Sequence, residues 1–111
     1  MAYDEQLADR IRDSLGPDVA EAVQKKMFGG LAFLIGGNMA VAASGKGGLM
    51  VRVDPADAPE LLSPGTVEPM VMGGREMRGW LRVSTETVAD DAVLDEWVRR
   101  GVSFARTLPV K

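Results

Sequence analysis

A chain of 111 residues is long enough for one hydrophobic core and too short for two. With 46% hydrophobic and 26% charged residues, its composition is that of a folded globular protein, which excludes the disordered class. A net charge of -3 and a pI near 4.9 argue against binding of nucleic acid or anionic membranes by the surface as a whole, leaving only a local basic patch for such a role.

In chain order, Tyr3, Leu7, Ile11 and Leu15 recur at helical spacing, with Ala8 on the same face. Asp4, Glu5, Asp9, Arg10, Arg12 and Asp13 fall elsewhere, which predicts an amphipathic helix stopped by Gly16-Pro17. Asp18 is placed to cap a short helical turn through Ala22, and the chain becomes extended near Val23. The opening residues, from Met1 to Gln6, have neither the basic start nor the apolar run of a secretory signal. With no cysteine there is no disulfide to form, and a cytoplasmic location is expected.

From Met27 to Gly45 no residue is charged, a run long enough to cross a bilayer as a helix. Glycines interrupt it at Gly29, Gly30, Gly36 and Gly37, and its apolar residues have the period of a strand. Leu31, Phe33 and Ile35 alternate, then Met39, Val41 and Ala43, with Gly36-Gly37-Asn38 between them as a hairpin turn. A second turn over residues 44–48 leads to Leu49, Val51 and Val53, with Arg52 on the opposite face. The stretch is therefore expected to be a three-stranded antiparallel meander in a soluble protein, with no membrane association. Met27, Met39 and Met50 fall in these strands as core fillers, whereas Met70 and Met72 are expected to be exposed.

Asp54-Pro55-Ala56-Asp57 reads as a helix start, with Asp54 at the cap and Pro55 at the first helical position. Pro59 keeps that helix short and Ser63-Pro64-Gly65 ends it. Residues 66–75 read as irregular or edge structure. From Met77 to Val83 the alternation returns, with Met77, Leu81 and Val83 on one face and Arg78, Trp80 and Arg82 on the other. Leu94, Trp97, Val98, Gly101, Ala105 and Leu108 then mark a long closing helix, with Asp90 and Asp91 at its start and Arg99, Arg100 and Arg106 toward its end. The expected class is α+β: an antiparallel sheet of about four or five strands with the N-terminal and C-terminal helices packed on it.

The absence of histidine and cysteine excludes Ser-His and Cys-His nucleophile pairs, the usual zinc ligand sets and thiol redox centres, so neither metal nor cofactor is expected. The acidic residues lie mainly at helix starts or on helix faces, where capping and solvation account for them. Gly45-Lys46-Gly47-Gly48 fails as a Walker A loop, because Ala40 stands where a glycine is required and Gly47 where a serine or threonine is. Arg75, Arg78, Trp80 and Arg82 remain as a candidate partner-binding stripe, able to stack on single-stranded nucleic acid or to anchor a protein. The structural alternative is that Trp80 is covered and the arginines pair with carboxylates.

Four segments carry a family resemblance: "KKMFGGLAFLIGGNMAVAAS", "GGLMVRVDP", "GGREMRGWLRV" and the closing "EWVRRGVSFARTL". Over Tyr3 to about Leu108 the chain resembles the N-terminal domain of the TfoX/Sxy family, most specifically at Met27-Phe28-Gly29-Gly30, Met39, the Leu49-to-Asp54 strand and Gly73-Gly74-Arg75. The resemblance implies an α+β fold and no known catalytic residues. In two-domain members of this bacterial family, named for regulators of competence genes, a helical C-terminal domain follows. Such a protein acts as a transcriptional coregulator with the cyclic-AMP receptor protein. Here the sequence ends at Lys111 directly after the last helix, so one domain over residues 1–111 is expected. The implied function is a small regulatory or protein-interaction domain without catalysis, its partner within the transcription machinery and a homodimer left open. A nucleic-acid-binding module and, last, an enzyme are the alternatives.

Overall fold

The structure, a computed structural model, describes residues 3–27, 29–45, 47–72 and 74–110, without the side chains of residues 27 and 72. Phe28, Lys46 and Gly73 of the motifs above lie outside the described residues, as do the side-chain expectations for Met27 and Met72.

Helix α1 spans Glu5–Leu15, and the Asp4 carboxylate caps it by accepting from the backbone N–H of Gln6 at 3.0 Å and of Leu7 at 3.1 Å. A 3-10 turn over Gly16–Ala20 follows. Asp18 is not its cap: its carboxylate receives Arg106 from the last helix at 2.7 Å, and Glu21 receives the same guanidinium at 2.8 Å. Hydrogen bonds to Glu21 and then Asp18 raise the Arg106 pKa above its ordinary value.

Strands β1 (Val23–Met27), β2 (Gly30–Ile35), β3 (Asn38–Ala43), β4 (Leu49–Arg52), β5 (Val67–Met72) and β6 (Arg75–Val83) form one antiparallel sheet in the order β1-β2-β3-β4-β6-β5. The meander read from alternation is β2, β3 and β4. Gly36 and Gly37 make its first turn with φ of 59° and 83°, the paired left-handed residues that a tight hairpin requires. Among the described residues no helix is long and apolar enough to cross a membrane.

The sheet has six strands, not four or five. The extra pairing lies at its two edges, where propensity is weakest. The chain is extended from Val23 as expected, and residues 66–75 admit edge structure. The exposed polar Gln24, Lys25 and Lys26 of β1 and Pro69 within β5 nevertheless leave no clear strand pattern in either segment. Lysine and proline are the residues that protect edges from further pairing, so the features that hid these strands fit their position. Met70, expected to be exposed, is buried because β5 turns it onto the sheet. The Asp54 helix start is also corrected. Its carboxylate accepts from the Ala56 N–H at 2.9 Å within a turn, and helix α2 (Ala58–Leu61) begins later, with Pro59 in its first turn.

Helix α3 (Asp91–Thr107) starts at Asp90, whose carboxylate accepts from the N–H of Ala92 at 2.8 Å. Arg10 fastens this start to α1 by donating to Asp91 at 2.8 Å and to the Val88 carbonyl at 2.7 Å. Both long helices pack on one face of the sheet over a core of Leu, Ile, Val, Phe, Ala and Trp97. The other face carries a second, smaller cluster with Met39, Met50 and Met70 around Ala32 and Ala42, and Leu34, Met77 and Trp80 partly buried against it.

At Gly101 the backbone of α3 lies close against the sheet. A bulge in the β2–β3 pairing puts both Ala40 and Val41 on the helix side. A Cβ at Gly101 would fall inside van der Waals contact with the Ala40 carbonyl oxygen and 2.9 Å from Val41 Cγ1. Helix propensity alone predicts that Gly101→Ala stabilises by about 1 kcal/mol. The packing predicts the opposite sign, a loss of roughly 1–3 kcal/mol in urea melts, because backbone cannot yield as a side chain does.

Candidate functional site

The candidate stripe lies on β6, and that strand is not regular. Pro69 on β5 pairs with Leu81, but Val71 pairs with Glu76, so several residues of β6 face a single residue of its partner. This bulge spans Met77 to Trp80, with Gly79 in the left-handed region at φ 78°. No side chain fits at Gly79: a Cβ there would lie 2.7 Å from the Val53 carbonyl oxygen and 3.0 Å from Pro55 Cγ. The Gly79 carbonyl accepts from the Val53 N–H at 2.7 Å, which ties the bulge to the end of β4.

The bulge breaks the alternation on which the stripe rests. Met77 does not share a face with Leu81 and Val83. It packs against the methionine cluster with Trp80, while Leu81 and Val83 enter the helix-side core. Arg75 stands exposed at the start of β6, opposite Met72. Arg82 is half-buried and donates to the Gly47 carbonyl at 3.1 Å, bracing the β3–β4 turn. It lines a separate hollow of about 570 Å³ with Gly48, Glu68 and Ser84.

Arg78 and Trp80 do come together. Arg78 is exposed, Trp80 is half-buried, and both line a cleft of about 190 Å³ between the bulge and the α2 arm. Its walls are largely apolar (Pro55, Pro59, Leu62, Pro69 and Met77), and Glu76 lines it beside Arg78 as a charge of opposite sign. Leu62 is 40% exposed, so the cleft opens onto an apolar rim. Trp80 also carries a cation, since it pairs in register with Arg52 on β4. The Arg52 guanidinium carbon lies 5.2 Å from the Trp80 ring centroid and 5.8 Å from that of Phe104 on α3.

In the sequence Arg52 is marked only as the outward residue of its strand, and Phe104 not at all. The available signal was Phe104 itself, a large aromatic outside the main stripe of α3. Phe104 belongs to a wider cleft of about 590 Å³ between the α2 arm and α3, where Asp54, Asp57 and Glu60 face Arg99 and Arg100. Arg100 is paired with Glu96 on its own helix at 2.7 Å. Among the described residues no group of three or more carboxylates could hold a metal ion.

The two tryptophans differ in burial: Trp97 is 6% exposed within the helix-side core, and Trp80 covers the edge of the methionine cluster. Trp97→Ala is expected to cost about 3–5 kcal/mol, and Trp80→Ala about 1–2 kcal/mol, since its side chain is only partly withdrawn from water. Denaturant melts of the two variants check the order; a larger loss at Trp80 would make it a core residue first.

The family model described as TfoX N-terminal domain matches residues 13–105. No curated protein and no solved structure matches the chain.

Proposed function

Since the chain belongs to the TfoX N-terminal domain family, we propose that it is a small regulatory module that docks a protein partner and does not catalyse a reaction. The observation that carries this reading is the meeting of Trp80, Arg78 and Leu62 at one open, largely apolar cleft that Glu76 also borders. Tryptophan and arginine are the residue types that dominate binding energy at protein interfaces, and a half-buried tryptophan beside a groove loses little freedom when a partner covers it. The acidic net charge of -3 supports a protein over a nucleic acid as the partner. The lack of histidine and cysteine supports a role in binding over one in catalysis. The family resemblance directs the search for the partner to the cytoplasmic transcription machinery.

Affinity capture from lysate, followed by mass spectrometry, tests this with the wild-type chain and Arg78→Glu. Arg78 is exposed, so the variant is expected to melt as the wild type does. A specific protein should be enriched by the wild type, and its affinity for Arg78→Glu should fall by about tenfold or more. Unchanged capture by the variant would remove the cleft from the interface. A salt-dependent mobility shift of a single-stranded oligonucleotide, weakened by the same substitution, would favour the nucleic-acid reading instead.

A further inference from the structure

Strand β1 ends the sheet order, and its outer side pairs with no strand among the described residues. Every residue of Val23–Met27 has a backbone N–H, whereas the opposite edge, β5, lacks one at Pro69. The backbone groups of β1 that do not bond β2 therefore point outward. Its side chains add charge to that edge. Gln24 and Lys26 stand opposite Phe33 and Leu31 of the helix-side core, while Lys25 stands opposite Ala32 of the methionine cluster. The two lysines thus project from opposite faces of the sheet. Both are exposed, and neither forms an ion pair among the described residues. Asp18 and Glu21, which precede the strand, hold Arg106, and Asp9 holds the Arg12 that donates to Gln24. Asp13 lines a hollow against Asp91 and Asp95 of α3. From this arrangement we infer that β1 receives an extended acidic peptide segment of a partner as a seventh strand, two adjacent carboxylates meeting Lys25 and Lys26 on opposite faces.

In such an addition the main-chain hydrogen bonds supply affinity and the side chains select the partner. A second copy fits the edge less well. Pairing β1 antiparallel with itself about its middle residue sets Lys25 against Lys25, and like charges directly opposite destabilise a sheet. Lysine thus guards the edge against its own kind, while the same charge attracts an acidic strand. A nucleic acid also fits less well. One phosphate chain cannot lie on both faces of the sheet at once, and it has no row of amide donors and acceptors to match the edge. Val23, 61% exposed on the face that Lys25 shares, offers an apolar contact to a β-branched residue of the added strand. The edge lies at the opposite end of the sheet order from β5 and β6, so the inference is independent of the cleft beside α2.

The test is a nuclear magnetic resonance titration of the full chain with N-acetyl-Thr-Val-Glu-Glu-Val-Thr-amide, read by amide shifts and hydrogen exchange. The outward amides of β1 should gain protection as the peptide binds. The Gln-Gln analogue should bind about fivefold more weakly. The same acidic peptide N-methylated at both glutamates keeps its charge but cannot pair there on either edge, and should protect nothing. Lys25→Glu combined with Lys26→Glu should weaken the acidic peptide by about tenfold and favour the Lys-Lys analogue instead. If that variant does not fold, the three peptides on the wild-type chain decide. Arg78→Glu should bind the acidic peptide as the wild type does, so a failure at β1 leaves the cleft reading in place. The inference is overturned by equal affinity for the Glu-Glu and Gln-Gln peptides, equal binding of the N-methylated peptide, or no protection of β1. Protection that rises with chain concentration alone would name a second copy as the occupant, and protection by a single-stranded oligonucleotide in place of the peptide would name nucleic acid; either overturns it.

Discussion

The approach of α3 to the carbonyl of Ala40 sets how the two layers of the protein meet. Gly101 lets the helix backbone settle against β3, and the bulge that turns both Ala40 and Val41 toward the helix supplies the surface it settles on. At that depth Leu94, Trp97, Val98, Val102 and Ala105 reach the sheet together. Arg10 at one end of the helix and Arg106 near the other then fix its direction through ion pairs with Asp91 and with Asp18 and Glu21. These pairs are exposed and individually weak, so they orient a helix whose attachment is the apolar contact.

With both long helices on one face, the opposite face has to be closed by the strands' own side chains. The two clusters differ in chemistry accordingly. The helix side is built from branched and aromatic residues, which hold one shape against a regular neighbour. The other side uses Met39, Met50, Met70 and Met77 around two central alanines, Ala32 and Ala42. Methionine is unbranched and adapts to irregular space, as a face bordered by the β6 bulge demands. Trp80 sits at the margin of this cluster, where its ring covers methionine on one side and remains reachable from the cleft on another.

The elements most readable in the sequence are those in which one periodicity governs the whole segment. The alternation of β2 through β4 and the apolar stripes of α1 and α3 are set by burial on a single face, and burial leaves a pattern. The elements that escaped are governed by something else. Edge strands β1 and β5 bond to the sheet through their backbones while lysine and proline guard the free side, so their residue choice shows an extended or edge segment without the alternation of a full strand. The β6 bulge escaped because an alternation read from Met77 to Val83 assumes one residue opposite one residue, and Gly79 permits the phase to slip. Of the four candidate residues, the cleft brings Arg78 and Trp80 together. Arg82 is occupied by a turn and Arg75 stands apart. Arg52 could not be placed at Trp80 by sequence, because their pairing depends on the non-local partnership of β4 with β6.

That phase slip is what joins the architecture to the candidate site. A regular β6 would keep Met77 in line with Leu81, on the helix side of the sheet. The bulge instead delivers Met77 and Trp80 to the same cluster and lays Arg78 beside the α2 arm. It is held by backbone: the Val53 N–H bonds the Gly79 carbonyl, and the Val53 carbonyl crowds the position where a Cβ would stand. Val53 follows Arg52 directly, so the contact that fixes the bulge also fixes the end of β4 from which the guanidinium projects. Trp80 and Arg52 are thus positioned by paired strands, where backbone freedom has already been lost on folding. Gly79 consequently shapes the candidate site although it has no side chain to offer, because the bulge it permits carries Met77 to the tryptophan's side of the sheet.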